Sequence, residues 1–142
     1  MSKFYEDILD KGYGDEELFY KIVDYVLMIE MEESFYKLDE IEKNFFGVGF
    51  LLGEVNSGGF QSYFVDAGGI KYARNTLQFL YSIDEKNFSN LLNLAINVFE
   101  SDKADDEKFK CLDDIDSEFY ELTSHYNTLY TKCIDYLKLN QV

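Results

Sequence analysis

The chain of 142 residues carries 28 Asp and Glu against 13 Lys and Arg, which gives a formal net charge of −15. Hydrophobic residues make up 46% of it and aromatic residues 18%. This composition excludes a disordered chain, because burial of so much apolar surface can offset the entropy lost on folding. The charge argues against direct binding to nucleic acids or anionic membranes, which are polyanions themselves. The length predicts one acidic domain over residues 1–142.

The first half of the chain shows apolar residues at helical spacing and contains no proline. A first helix is predicted from about Asp15 to Met31, with an acidic opening that suits the positive end of a helix dipole. A second helix should begin at Asp39 as its N-cap and end at Gly58-Gly59. A short helical turn from Phe60 to about Val65 should follow.

The second half continues the helical pattern. A helix that begins near Ile70 precedes Ser82 and Glu85, which have the spacing of a capping box opening the next helix. Residues 101–107 form a polar linker. The apolar stripe from Leu112 to Tyr136 predicts one long helix or two nearly collinear ones. No segment alternates as a strand would, so the predicted fold class is all-α, a single compact helical domain of about five to seven helices.

Glycines lie both inside and at the end of the predicted second helix. The interior ones are Gly47, Gly49 and Gly53. Each lowers helix propensity by about 1 kcal/mol relative to Ala where it is exposed, and close approach of another helix is the expected compensation. The stretch EVNSGGF that follows forms either a corner between helices or a polar pocket made by Glu54, Asn56 and Tyr63. Residue types favour the corner.

Signals for catalysis or metal binding are weak. His125 is the one histidine, and no Ser/His/Asp or Cys/His arrangement can be assembled around it. Carboxylate pairs at helical spacing, such as Glu30 and Glu33, lack the flanking histidine of a helical di-metal site. Cys111 and Cys133 have no metal-binding spacing and are expected to be reduced thiols. We therefore predict that the protein is not an enzyme and binds no metal or cofactor.

The N-terminal segment MSKFYEDILD lacks a basic region followed by an apolar run. Such a start is not typical of a secretion signal. No apolar stretch of the sequence approaches the length of a membrane span. The expected location is therefore the cytoplasm, without contact to membranes.

Residues 54–69, EVNSGGFQSYFVDAGG, resemble the signature of a bacterial family of small acidic proteins. That signature reads Glu-Val-Asn-Asn-Gly-Gly-Phe, followed by a polar pair, two aromatics and an Asn-rich segment before Gly. The matching residues here, which we expect to be structural, are Glu54, Asn56, Gly58, Gly59, Phe60, Tyr63 and Phe64. The departures are Ser57, Ser62 and Asp66. A following helix pair, and the tail DDIDSEFYELTSHYNTLY, extend the resemblance over most of the chain.

The best-known member of the family that the sequence resembles is a DNA mimic. It binds a helix-turn-helix transcription factor and blocks operator binding. The resemblance implies a partner of the same kind here, a basic protein such as a helix-turn-helix transcription factor or another nucleic-acid-binding protein. It implies no direct contact with nucleic acid, and association into a homodimer stays open.

Carboxylates cluster late in the sequence at spacings that suit mimicry. Neighbours at i and i+4 on a helix lie about 6 Å apart, close to the roughly 7 Å between phosphates along one DNA strand. The candidate partner-binding residues are Asp102, Asp105, Asp106, Glu107, Asp113, Asp114, Asp116 and Glu118. The cations within this span are Lys103, Lys108 and Lys110. A second acidic surface could come from Glu30, Glu32, Glu33, Asp39, Glu40 and Glu42.

Two binding functions follow from the sequence, beside a third and less favoured interpretation as an enzyme with a pocket near Glu54, Asn56 and Tyr63. In the first, the protein mimics DNA, binds a basic protein surface and competes with nucleic acid for it. In the second, it is a protein-interaction or immunity-type protein of unknown partner, recognised through apolar and tyrosine contacts. The simplest explanation for the carboxylates themselves is a solvated face that keeps the protein soluble.

Overall fold

The computed structural model describes residues 3–140, and these residues form helices and no strand. The seven α-helices are α1 (Lys3–Leu9), α2 (Asp15–Glu33), α3 (Glu40–Gln61), α4 (Ile70–Ser82), α5 (Lys86–Phe99), α6 (Asp105–Tyr120) and α7 (Tyr126–Leu139). Short 3-10 helices lie at Phe35–Lys37 and Glu121–His125, and a π-helical turn lies at Ser62–Asp66. The predicted all-α class, with about five to seven helices, is confirmed.

The described residues group into two compact units. One unit holds the residues up to Phe46 together with those from His125 onward, and the other holds Gly47–Ser124. The first therefore contains α1, α2 and α7, and the second contains α4, α5 and α6. The single domain expected over residues 1–142 stays a prediction, and residues 1, 2, 141 and 142 lie outside the described part of the chain.

The core of the first unit forms where α2 packs against α7. Phe19 of α2 is fully buried, and its ring centroid lies 4.9 Å from that of Tyr130 and 5.8 Å from that of Phe45. The hydroxyls of Tyr20 and Tyr130 share a hydrogen bond of 2.8 Å. Of the apolar residues at helical spacing that predicted α2, Leu18, Ile22 and Val26 are buried, whereas Tyr25 and Ile29 are half-buried. The helix continues to Glu33, two residues beyond the predicted end.

The core of the second unit is a cluster of phenylalanine rings. Phe119 of α6 packs edge-on against Phe60 and Phe88, each with its centroid 5.6 Å away. Phe64 stacks on Phe99 at 4.7 Å. Aromatic pairs in these geometries contribute about 0.5–1.5 kcal/mol each beyond their buried area. Through this cluster, α5 and α6 pack against the segment that follows Gly59.

Of the two predicted helix caps, one is confirmed. Asp39 and Glu42 form a reciprocal capping box, in which the Glu42 backbone N–H donates to Asp39 Oδ1 at 2.8 Å and the Asp39 N–H donates to Glu42 Oε1 at 2.9 Å. The prediction of a capping box at Ser82 and Glu85 is wrong. Ser82 ends α4, where its hydroxyl donates to the carbonyl of Phe79 at 2.7 Å, so it is not available to cap α5.

Other boundaries also differ from the sequence prediction. The linker predicted at residues 101–107 is wrong at its end, because α6 already begins at Asp105. Helix α1 was not predicted, because its seven residues are too few for a clear period. The apolar stripe from Leu112 to Tyr136 belongs to two α-helices with a 3-10 helix at Glu121–His125 between them. Of the glycines inside α3, Gly47 is closely approached by another helix, since a Cβ there would overlap Thr76 Oγ1 of α4. Gly53 has open space beside it.

Candidate functional site

Helix α6 carries most of the predicted acidic surface. Its first turn contains three acidic residues, Asp105, Asp106 and Glu107, which suit the positive end of the helix dipole. Seven of the eight predicted carboxylates have exposed side chains: Asp102, Asp105, Asp106, Glu107, Asp113, Asp114 and Glu118. The structure thus brings six of these onto one helix and places Asp102 just before it. Whether they contact a partner stays a prediction.

Five of the six exposed carboxylates that were predicted on α6 follow two lines along the helix. Glu107, Asp114 and Glu118 recur at seven and four residues, which is the spacing of one helical face. Asp106 and Asp113 share a neighbouring face by the same rule. With a rise of about 1.5 Å per residue, Asp114 and Glu118 are offset by roughly 6 Å along the axis. Measured through space, neighbours four residues apart on a helix are about 6 Å apart at their Cβ atoms, which is of the order of the through-space distance between successive phosphates on one DNA strand.

Glu121 extends the first line, although the sequence analysis omitted it. It is exposed and begins the 3-10 helix directly after α6, three residues beyond Glu118. Its helical spacing from Glu118 was the signal in the sequence that could have identified it.

The lysines within this span neutralise the acidic surface only in part. The Lys108 ammonium donates to the backbone carbonyl of Phe99, at the end of α5, at 2.9 Å. It therefore serves as a C-terminal cap of α5 and is half-buried. Lys103 and Lys110 are exposed. Lys110 alone of the three lies on the solvent-facing side of α6.

Asp116 does not belong to the acidic surface, and its inclusion was wrong. Its side chain is only 8% exposed, and its Oδ1 accepts a hydrogen bond of 2.8 Å from the backbone N–H of Phe60. Asp116 lies on the same side of α6 as Leu112 and Phe119, which the core buries. Burial raises the pKa of Asp116, the Phe60 N–H lowers it, and the nearby Asp113 carboxylate raises it.

This hydrogen bond fixes the corner at EVNSGGF. Gly59 has a φ of 78° and a ψ of −179° in the middle of α3, a conformation that is essentially restricted to glycine. A Cβ at Gly59 would also overlap the Asp116 carboxylate. Directly after the kink, the Phe60 N–H donates to the Asp116 carboxylate. The predicted corner is therefore confirmed, and the glycine turns the backbone.

A family model described as DMP19-like protein matches residues 36–140 of the chain. The chain belongs to this family. It is a family of DNA mimics that is not known for an enzymatic activity. No curated protein and no solved structure matches the chain. The match covers α3 to α7, and it therefore includes both the α6 carboxylates and the Gly59 corner.

In this DMP19-like protein the signature residues divide between core and surface. Phe60, Tyr63 and Phe64 are buried, and the Tyr63 ring contacts those of Phe60 and Phe64 at centroid distances of 6.1 and 5.0 Å. Burial raises the pKa of Tyr63. Glu54 is half-buried, whereas Asn56 and Gly58 are exposed. Tyr63 thus belongs to the aromatic core and lines no open pocket with Glu54 and Asn56.

Two of the six carboxylates of the second predicted acidic surface form hydrogen bonds within the protein. Glu32, Glu33, Asp39 and Glu40 are exposed, while Glu30 and Glu42 are half-buried. Asp39 and Glu42 are engaged in the capping box of α3. In addition, Glu42 Oε2 accepts a hydrogen bond of 3.4 Å from the buried Tyr5 hydroxyl. Asp39 and Glu42 are therefore less free to rearrange around a partner than the exposed carboxylates of α6.

The remaining candidates for reactive chemistry are one histidine and two cysteines. His125 is exposed at the end of a 3-10 helix. Cys111 is half-buried and Cys133 is buried, and neither forms a disulfide with another described cysteine. Among residues 3–140, no group of three or more His, Cys, Asp or Glu side chains could hold a metal ion. Within the same range, no helix combines the length and the apolar character needed to span a membrane.

Proposed function

We propose that this protein mimics the charge of DNA, binds the basic surface of a nucleic-acid-binding protein and competes with DNA for that surface. The observation that carries the proposal is the exposed acidic face of α6 within a chain of the DMP19-like family. Two lines of carboxylates at helical spacing face solvent there, and Lys110 is the cation between them. In this proposal the α6 carboxylates contact the basic side chains of the partner protein.

The mechanism is charge complementarity. A DNA-binding protein presents Lys and Arg side chains at intervals that match phosphates, and the α6 carboxylates can accept charge-assisted hydrogen bonds from the same groups. The net charge of −15 attracts such a partner from a distance and raises the association rate. Because the Debye length is about 8 Å at physiological salt, this attraction should weaken as salt is added.

The test uses two triple variants with the same change in charge. One carries Glu107→Gln, Asp114→Asn and Glu118→Gln on α6. The matched control carries Asp7→Asn, Glu17→Gln and Asp135→Asn, which are exposed carboxylates elsewhere in the chain. Proteins captured on the immobilised wild type from a native lysate are identified, purified and titrated against each variant, with labelled duplex DNA as the competitor.

We expect duplex DNA to displace the captured partner from the wild type. The α6 variant should bind the partner about tenfold more weakly or worse, while the control should change by less than about threefold. If both variants bind like the wild type, or if DNA and the protein bind the partner together, the proposed function is wrong.

A second function is favoured by two exposed apolar side chains. Met31 is 83% exposed and Tyr36 is 78% exposed, and residues of these types are enriched at the centres of protein interfaces. In this alternative the partner is recognised by apolar contact. Its binding would vary little between about 50 and 500 mM salt, would be lost in the variant Met31→Ser/Tyr36→Ser, and would survive neutralisation of α6.

A further inference from the structure

A groove of about 400 Å³ lies between α1 and α2. Its apolar lining consists of Phe4, Ile8, Tyr25 and Met28, and its polar lining consists of Lys11, Tyr13, Lys21 and Asp24. The volume falls in the range of sites that take small organic ligands. All of these residues precede the segment matched by the family model, residues 36–140. The groove is therefore a feature of this chain outside the DMP19-like match.

Packed side chains form the floor of the groove. The rings of Phe4 and Tyr25 stack with centroids 4.0 Å apart, and Tyr5 meets Tyr25 edge-on at 6.0 Å. Ile8 is buried, whereas Met28 is 58% exposed. These contacts hold α1 against α2, so the apolar floor exists before any ligand arrives. Preformed sites of this kind lose less conformational entropy on binding.

Two lysines contribute positive charge to the groove. Among residues 3–140, neither Lys11 nor Lys21 forms an ion pair or a side-chain hydrogen bond. The Lys21 ammonium lies 4.8 Å from the centroid of the Tyr13 ring, an arrangement that orients it by cation–π attraction. Asp24 is the one carboxylate in the lining. In a protein with 28 acidic residues, this lining thus combines two cations and a single carboxylate with an apolar surface.

We propose that this groove binds a small amphipathic carboxylate, such as a medium-chain fatty acid. The alkyl chain would cover Phe4, Tyr25 and Met28, and the carboxylate would lie between the ammonium groups of Lys11 and Lys21. Each buried methylene contributes enough to tighten binding about fourfold. This ligand site is independent of the α6 surface and adds a second binding activity to the proposed function.

Charge selectivity gives the sharpest test. The overall charge of −15 favours a cationic amphiphile, whereas the two lysines of the groove favour an anionic one. We therefore compare octanoate, 1-octanol and octylammonium by NMR, following the methyl groups of Met28 and Ile8, with Ile115 in the second unit as a reference. Octanoate should bind with a Kd of about 1 mM or tighter. Both other ligands should bind about tenfold more weakly.

Variants of the groove separate the lysines from the apolar floor. The variant Lys11→Gln/Lys21→Gln should lose about tenfold in octanoate affinity and little in octanol affinity. The control Lys138→Gln removes an exposed cation from α7 and should bind octanoate like the wild type. Met28→Glu places a carboxylate at the exposed edge of the groove, and it should abolish octanoate binding without disturbing the core.

Three outcomes would each overturn the proposal. The first is the absence of saturable octanoate binding up to 10 times the expected Kd of about 1 mM. The second is equal or tighter binding of octylammonium, and the third is full octanoate affinity in the double lysine variant. None of these results depends on capture of a DNA-binding partner, so failure here leaves the function proposed for α6 unaffected.

Discussion

The carboxylate of Asp116 accepts a hydrogen bond of 2.8 Å from the backbone N–H of Phe60, which lies 56 residues earlier in the chain. This bond joins the middle of α6 to the residue directly after the Gly59 kink. An acidic residue in a carboxylate-rich run is therefore structural, while its exposed neighbours on α6 remain available for binding.

Two replacements of Asp116 should distinguish the contribution of its hydrogen bond to stability from that of its charge. Asp116→Ala leaves the buried Phe60 N–H unpaired, and we expect the free energy of unfolding to fall by about 2–3 kcal/mol. Asp116→Asn keeps an acceptor oxygen and should cost about 1 kcal/mol or less at neutral pH. Urea unfolding measures both. Asp113→Ala, at an exposed position on the same helix, serves as the control and should change stability by less than about 0.5 kcal/mol.

Titration of Asp116 should change how the free energy of unfolding depends on pH. Burial raises the pKa of Asp116 above its ordinary value of 3.8, so the folded state binds this proton more tightly than the unfolded state does. The resulting contribution to stability is complete below the unfolded pKa and is lost as the pH rises through the higher folded pKa.

We therefore expect the stability of the wild type relative to Asp116→Asn to decrease as the pH is raised from about 4, the unfolded pKa. Urea unfolding of both proteins at several pH values gives this difference, in which the other titrating groups cancel. A difference that stays constant or increases with pH would contradict the raised pKa. Asp113→Asn removes one cause of the rise and should shift the decrease to lower pH.

Two glycines of α3 should respond to alanine in opposite directions. Gly59→Ala forces a side chain into a positive-φ conformation and against Asp116, and we expect a loss of about 3 kcal/mol. Gly53→Ala adds a methyl group in open space within a regular helical segment, and it should stabilise the protein by up to about 1 kcal/mol. Thermal unfolding of both variants tests this contrast. Equal effects would show that the Gly59 kink is not required for folding.

The capping box at the start of α3 should contribute measurably to stability. Asp39→Ala removes the acceptor for the Glu42 N–H and should cost about 1 kcal/mol. Asp39→Asn or Asp39→Ser, which retain a capping oxygen, should recover most of that loss. A double-mutant cycle with Glu42→Ala measures the coupling between the two side chains. Additive effects would mean that the two bonds form independently.

The candidate site was predictable in part. Asp106, Asp113 and Asp114 were recognised because clustering and helical spacing are visible in the sequence. Asp116 was misassigned, although its distance of four residues from Leu112 and three from Phe119 placed it on the buried side of α6. The groove at Lys11 and Lys21 was not predicted, because it depends on how α1 packs against α2.

By itself, the sequence determined the all-α class, the N-cap at Asp39 and the charge of −15. These properties depend on local periodicity and composition, which tertiary contacts do not alter. Only the tertiary structure decided that the Asp116 carboxylate accepts from the Phe60 N–H beside the Gly59 kink. Burial is set by residues distant in the chain, and the Phe60 N–H that holds Asp116 comes from such a distant segment.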